Sequence, residues 1–134
     1  MKIHCGTDAA TISRITRAVE RGGDRFERRV FTQGELAYCD SRGKGRLASL
    51  AARFAAKEAV AKALGTGIAA GVSFADIEVT RDPGGAPGIQ LSRGAQARFL
   101  QILGREISIS LTHEGDLAMA FCVILCDESA EESK

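Results

Sequence analysis

With 134 residues, 45% of them hydrophobic and 26% charged, the chain has material for one modest core and none for a second full domain. A formal net charge of +1, from 18 basic and 17 acidic side chains, excludes the global field of a nucleic-acid binder, so an anionic partner has to be met by a local patch. The N-terminus has no signal-like apolar region and no run approaches the ~18 apolar residues of a membrane span, which reads as a cytoplasmic protein with no membrane partner. Cys5, Cys39, Cys122 and Cys126 form no CxxC pair and no zinc-type spacing, and read as reduced thiols filling the core.

Lys2 to Asp8 reads as a short strand that ends on a carboxylate. At such a strand-to-helix junction an aspartate is most simply an N-cap. Thr11 to Arg21 follows as a helix, with Arg14, Arg17 and Arg21 forming a basic ridge opposite Ile12, Ile15 and Val19, and Gly22-Gly23 ends it. Arg25, Arg28 and Arg29 extend the positive charge. Thr32 to Glu35 is a capping box that opens a short helix through Cys39. The loop Asp40 to Arg46 is rich in glycine and base, without the spacing of a Walker A motif, and places Lys44 or Arg46 to reach a ligand phosphate.

The most regular stretch is Leu47 to Leu64, an alanine-rich helix that runs into Gly65-Thr66-Gly67. At about 100° per residue, Leu47, Leu50, Ala51, Phe54, Ala61 and Leu64 form one apolar stripe. Glu58 falls inside that stripe, where an ionised carboxylate wants a cation. Arg53 and Lys57 are a like-charge pair at i,i+4, poor for a bare helix and good as a phosphate seat. Glu58 to Lys62 has the order of an ordinary surface ion pair. The glycines of the turn suit a left-handed cap and a close approach to ligand.

Beyond Gly71 the pattern shortens. Phe74 to Thr80 and Gly88 to Leu91 read as a hairpin, with Pro87 at its far edge. Arg93 to Leu103 reads as a helix whose core side is Ala97, Leu100 and Leu103. In the next strand Ile107, Ile109 and Leu111 alternate with Ser108, Ser110 and Thr112, one face apolar and one hydroxylated. His113 ends it, taken alone a surface or satisfied histidine. Leu117 to Leu125 is a last buried strand. A single domain over 1–126 and a charged tail, 127–134, without fixed structure is the expected organisation.

Arg53-Phe-Ala-Ala-Lys-Glu-Ala-Val-Ala-Lys-Ala-Leu-Gly-Thr-Gly67 closely resembles the signature of the bacterial holo-acyl-carrier-protein synthases, the short class of 4′-phosphopantetheinyl transferases. Gly6-Thr-Asp8, Ile12-Ser-Arg-Ile15, Phe31 to Leu36, Val72 to Val79 and Ile109-Ser-Leu-Thr-His113 look like further family segments in family order. The resemblance implies an α+β fold, an antiparallel sheet packed on a long central helix, assembled as a homotrimer with sites between subunits. It implies transfer of the 4′-phosphopantetheine arm of coenzyme A to a serine of apo-acyl carrier protein, releasing adenosine 3′,5′-bisphosphate, in support of fatty acid biosynthesis. Asp8 and Glu58 would hold Mg²⁺ and Lys62 would stabilise the leaving phosphate, while either Glu58 or a metal-bound water takes the serine proton. Lys44, Arg46, Arg53, Lys57, Gly65, Thr66, Gly67, Pro87, Ser110, Thr112 and His113 would line the coenzyme A pocket, and Arg14, Arg17 and Arg21 would dock the acidic carrier. The alternative is a catalytically weak module that binds coenzyme A or carrier. The chain departs from the family at Ala9 and Ala10, where larger apolar residues are usual, at Thr11, usually acidic, and at Gln33, often proline; these put affinity or carrier preference in question before activity.

Overall fold

A computed structural model describes residues 1–129. Strand β1 (Lys2–Thr11) leads into helix α1 (Ile12–Val30), helix α2 (Gln33–Asp40), a 3₁₀ turn at Gly43–Gly45 and helix α3 (Arg46–Ala63). A hairpin of β2 (Ile77–Arg81) and β3 (Pro87–Leu91), helix α4 (Arg93–Gln101) and strands β4 (Gly104–Glu114) and β5 (Leu117–Cys126) complete the chain. The main sheet is antiparallel in the order β1-β5-β4, and β2-β3 is a separate two-stranded sheet.

The alanines of α3 let the helix lie unusually close to the main sheet. Ala55, Ala59 and Ala63 are buried against it, and the strand facing them carries Gly6, whose position has room for no side chain: a Cβ there would lie 2.1 Å from the carbonyl oxygen of Ala59. Leu50, Ala51, Ala61 and Leu64 of the expected stripe are fully buried, whereas Glu58 lies at its margin, half-buried and turned towards β1 and α1. The inner faces of the sheet contribute Ala10, Ile109, Ala120, Cys122, Ile124 and Cys126 to one core, and a second cluster, with Ile15, Val30, Phe31 and Cys39, joins α1 and α2 to the start of α3.

Several elements differ from the sequence-based expectation. Strand β1 runs three residues past Asp8 because Asp8, Ala9, Ala10 and Thr11 all pair with β5, and it is the Thr11 hydroxyl that accepts from the Arg14 amide and caps α1. Asp8 is therefore a mid-strand residue, opposite Ala120, and no N-cap. The glycine pair does break α1, with Gly23 at φ 54° and ψ −141°, but helix resumes on its far side as far as Val30. Helix α4 is rotated from its expected face: Ala95 is buried with Phe99 and Ile102 packed beside it, and Leu100 and Leu103 are exposed. Gly94 sets this rotation by abutting the Gly71 carbonyl, where a Cβ would come within 1.8 Å. Past β5, Asp127 donates its amide to the Leu103 carbonyl (2.9 Å) and Glu128 pairs with the N-terminal amine, so the start of the tail is tied down; the remainder of the expected tail lies outside the described residues.

Among the described residues nothing covers the outward face of the main sheet. Ile3, Leu117, Met119 and Phe121 are 39–69% exposed, with the hydroxyls of Thr7, Ser110 and Thr112 in the flanking strands opposite Phe121 and Met119.

Candidate active site

Asp8, Glu58 and Lys62 converge where β1 crosses α3. Lys62 Nζ donates to Asp8 Oδ1 (3.1 Å) and to the Thr7 carbonyl (3.0 Å), so the lysine prefers the strand to the glutamate one turn behind it. Burial, and then the Asp8 charge, push the Glu58 carboxyl above the usual carboxylate range, with Lys62 and Arg14 pulling the other way. A half-buried carboxylate raised by a neighbouring one is poised for a cation. Among the described residues no group of three or more His, Cys, Asp or Glu side chains comes together, and a two-carboxylate site suits a hard ion that completes its shell with phosphate oxygens and water. The donor set fits Mg²⁺ and does not fit zinc.

Beside this cluster the chain turns through Gly65 (φ 85°) and Gly67 (φ 64°), with the amides of Thr66 and Gly67 directed at the Ala61 carbonyl. The backbone is held there by Arg98, whose Nε donates to the Leu64 carbonyl at 2.8 Å.

A second, basic site occupies another side of α3. A cavity of about 370 Å³ is lined by Tyr38, Arg42, Arg53, Arg81, Thr112 and His113. The guanidinium carbons of Arg53, Arg81 and Arg42 lie 4.1, 4.7 and 5.7 Å from the centroid of the Tyr38 ring. Among the described residues no carboxylate pairs with any of the three. Arg53 is only 2% exposed, yet its Nε has no hydrogen-bond partner. Cation–π contacts with one ring offset part of the repulsion among three like charges, but a buried, unpartnered guanidinium nitrogen is costly unless an anion completes it. Five residues separate Arg53 from Glu58, which places the two sites about 140° apart around α3.

The remaining expected ligand residues divide. Lys57 joins neither site: it is fully buried, ion-paired with Glu35 at 2.7 Å and bonded to the carbonyls of Phe74 and Ile77, because its side chain points between α2 and β2. The expected pairing of Arg53 and Lys57 is therefore not formed, and of the two only Arg53 lines the cavity. Arg46 is likewise engaged, by Asp40 (2.7 Å) and Glu27, and these acids hold its guanidinium pKa high. Lys44 is exposed on the 3₁₀ turn. Pro87 opens β3 opposite Arg81, and Ser110 lies on the outward sheet face opposite Phe121. Arg14 leaves the expected ridge, its guanidinium 5.9 Å from the Phe54 ring and its charge acting on Glu58, while Arg21 groups with Arg25 and Arg29 around Phe26. Tyr38, Arg42 and Arg81 were not singled out from the sequence as ligand residues. Arg42 stands in the loop that was read as phosphate-binding, but nothing in the spacing brings Arg81 next to Tyr38, since only the docking of the hairpin on α2 and α3 does so.

A family model described as the 4′-phosphopantetheinyl transferase superfamily matches residues 4–122. A holo-[acyl-carrier-protein] synthase of Shewanella amazonensis is 51% identical over 121 residues, 90% of this chain and 95% of that protein. The crystal structure of the Neisseria meningitidis holo-[acyl-carrier-protein] synthase superposes with a TM-score of 0.81 at 37% identity, covering 91% of this chain and 97% of that one. The Helicobacter pylori synthase, solved in complex with coenzyme A, superposes at 0.80 with 33% identity, covering 90% of this chain and 99% of its own.

Proposed function

The chain belongs to the 4′-phosphopantetheinyl transferase superfamily, and we propose that its two sites on α3 hold the two ends of one reaction: transfer of the 4′-phosphopantetheine arm of coenzyme A to a serine of apo-acyl carrier protein. The observation that carries the assignment is the convergence of Asp8, Glu58 and Lys62 on one point between β1 and α3. Mg²⁺, when bound by Asp8 and Glu58, supplies charge neutralisation at the diphosphate. Lys62, already 3.1 Å from Asp8, is placed to stabilise the phosphate that leaves. The serine oxygen bonds to the phosphorus that carries the pantetheine arm, the bridging phosphoanhydride bond breaks, and adenosine 3′,5′-bisphosphate departs with the electron pair. Glu58, beside the reacting phosphate in this arrangement, would accept the serine hydroxyl hydrogen directly or through a water.

Coenzyme A carries a second anionic group, the 3′-phosphate, and the Tyr38 cavity with Arg42, Arg53, Arg81, Thr112 and His113 is the complementary receptor for it. The two sites face different sides of α3, so one coenzyme A engages both by bridging neighbouring subunits. The uncovered sheet face of Ile3, Leu117, Met119 and Phe121 is the surface on which a homotrimer closes, with Ser110 and Thr112 in the same face. Pro87 and the Gly65-Thr66-Gly67 turn complete the pocket wall; Lys44 reaches in from its exposed turn. Arg17 and Arg21 dock the acidic carrier, and Arg14 joins docking to the acid cluster. The four cysteines are free thiols, in keeping with work in a reducing cytoplasm in support of fatty acid biosynthesis.

The test is incubation of apo-acyl carrier protein with coenzyme A and Mg²⁺, read by intact mass. The carrier gains one phosphopantetheine with the parent protein and none with Asp8→Ala or Glu58→Ala. Binding of coenzyme A without any mass gain by the parent would leave a binding module and overturn the transfer.

A further inference from the structure

The tyrosine and arginines of the basic cavity hang on three elements, Tyr38 on α2 with Arg42 in the turn just after it, Arg53 on α3 and Arg81 on β2, while Thr112 and His113 of β4 complete the lining. One buried contact joins the same three elements. Glu35 of α2 and Lys57 of α3 are both fully enclosed, and Lys57 Nζ lies 2.7 Å from Glu35 Oε1. The other ammonium protons go to the carbonyls of Phe74 (2.9 Å) and Ile77, at the entrance to β2. Glu35 Oε1 also accepts from the Thr32 amide (2.8 Å), and Oε2 accepts from the Val79 amide inside β2 (2.8 Å). The Thr32 hydroxyl bonds Glu78 and ties α2 to β2 a second time.

Apolar residues of the same volume would join these elements without the desolvation cost of two buried charges. What they would not supply is direction. One ion pair and three hydrogen bonds between elements, made through two side chains, fix the rotation of α3 about its axis and the height of α2 and β2 against it, whereas an apolar contact tolerates sliding. Lys57 is one turn from Arg53 and adjacent to Glu58, so the pin acts at the point on the helix where the ligand groups are carried. The cavity needs such a pin, because its three guanidiniums repel one another around Tyr38 and would spread if the elements carrying them could shift.

We propose that the buried Glu35–Lys57 pair is a positioning device for the anion cavity, holding Tyr38, Arg42 and Arg81 in the arrangement about Arg53 that receives the 3′-phosphate of coenzyme A. The proposal rests on the coenzyme A reading. Neither residue touches the ligand, and both act through the elements they lock.

Two variants test it, Lys57→Met and the double variant Glu35→Gln with Lys57→Met, the second of which leaves no bare charge buried. Each is compared with the parent by calorimetric titration with adenosine 3′,5′-bisphosphate and by steady-state transfer, at a temperature where its circular dichroism matches the folded parent. A core truncation at the end of β5 away from Ala120, Ile124→Ala, serves as the control for lost stability alone. Affinity for the bisphosphate should fall at least tenfold in whichever of the two variants folds, with the KM for coenzyme A rising by a similar factor. The kcat at saturating coenzyme A, the KM for carrier and all constants of Ile124→Ala should stay within about twofold. A folded pair variant that binds the bisphosphate within twofold of the parent overturns the proposal. So does an equal loss in Ile124→Ala, which would reduce the pair to ordinary stability. A parent that binds neither coenzyme A nor the bisphosphate would fail earlier, at the functional reading on which this one stands.

Discussion

Replacing Gly6 by alanine should cost this protein both stability and catalysis, through one displacement. The added Cβ would stand 2.1 Å from the Ala59 carbonyl oxygen, 2.7 Å from the Ala63 amide nitrogen and 3.0 Å from Lys62 Cβ. The first two are backbone atoms of α3 and have no rotamer to escape into. Ordinary contact begins near 3.4 Å, so strand and helix must part by about 1.3 Å. Overpacking of this kind costs about 3 kcal/mol. For a chain of this size that is a fall of roughly 10 °C in Tm. Asp8 is two residues along the same strand and Lys62 sits on the displaced helix surface, so the separation is transmitted into the acid cluster. A misplacement of about 1 Å at a reacting centre can cost ~10²-fold in rate. Thermal unfolding and the transfer assay give the two numbers, and Gly23→Ala supplies the contrast: its φ of 54° strains an alanine, but nothing lies within 4 Å of the new Cβ and the site is remote from Asp8. Gly23→Ala should lose about 1 kcal/mol of stability and leave turnover intact. A Gly6→Ala protein with parental Tm and activity would refute the close helix-strand packing and the coupling drawn from it.

Glu58→Gln should raise the Tm of the metal-free protein at neutral pH while abolishing transfer. Its folded carboxyl titrates above the unfolded value of about 4.5, so the parent's relative stability is full below that value and is lost as pH rises through the raised one; the gain of the variant should therefore appear only above that window, and a variant less stable at pH 8 would contradict the desolvation argument. Phe121→Asp, on the exposed sheet face, should give a folded monomer by light scattering with little transfer activity, and an unchanged trimer would move the interface elsewhere. Arg17→Glu and Arg21→Glu should raise the KM for carrier in a salt-dependent way and leave coenzyme A binding alone, whereas Arg14→Glu should also lower the Mg²⁺ needed for half-maximal rate, because it replaces a cation that acts on Glu58 with an anion. Identical behaviour of all three would return Arg14 to the outer ridge.

What was legible in the sequence was local or periodic. The Thr32–Glu35 capping box and the alternation of β4 are short-range patterns and form as read, and α3 is the expected helix, but it is buried well beyond the stripe, with Arg53 and Lys57 enclosed and Glu58 at the margin. The convergence of Asp8 with Glu58 and Lys62 rested on family resemblance, since no spacing rule brings a β1 residue to the fourth turn of a distant helix. Lys57 shows the limit most clearly. As one of a like-charge pair on a helix it reads as a phosphate ligand, because the sequence accounts for Glu35 by a capping box alone, yet that glutamate does both jobs, closing the cap with Oε1 and meeting Lys57. The engagement of Arg46 is hidden in the sequence for the same reason, because its acids stand on α1 and at the end of α2. The Tyr38 cluster is purely tertiary: its arginines come from a loop, a helix and a hairpin.

The claim on which the account turns is that the acid cluster of one subunit and the arginine cavity of the next act on the same coenzyme A. Its most direct test is complementation between two inactive proteins, Glu58→Ala and the double variant Arg53→Ala with His113→Ala, carried on different affinity tags, co-expressed and purified through both tags. Shared sites predict that mixed trimers recover about a third of parental transfer, since every trimer that holds both variants has one interface in three with both halves intact. No recovery in mixed trimers, or full activity in a monomer, would place a complete site within each subunit.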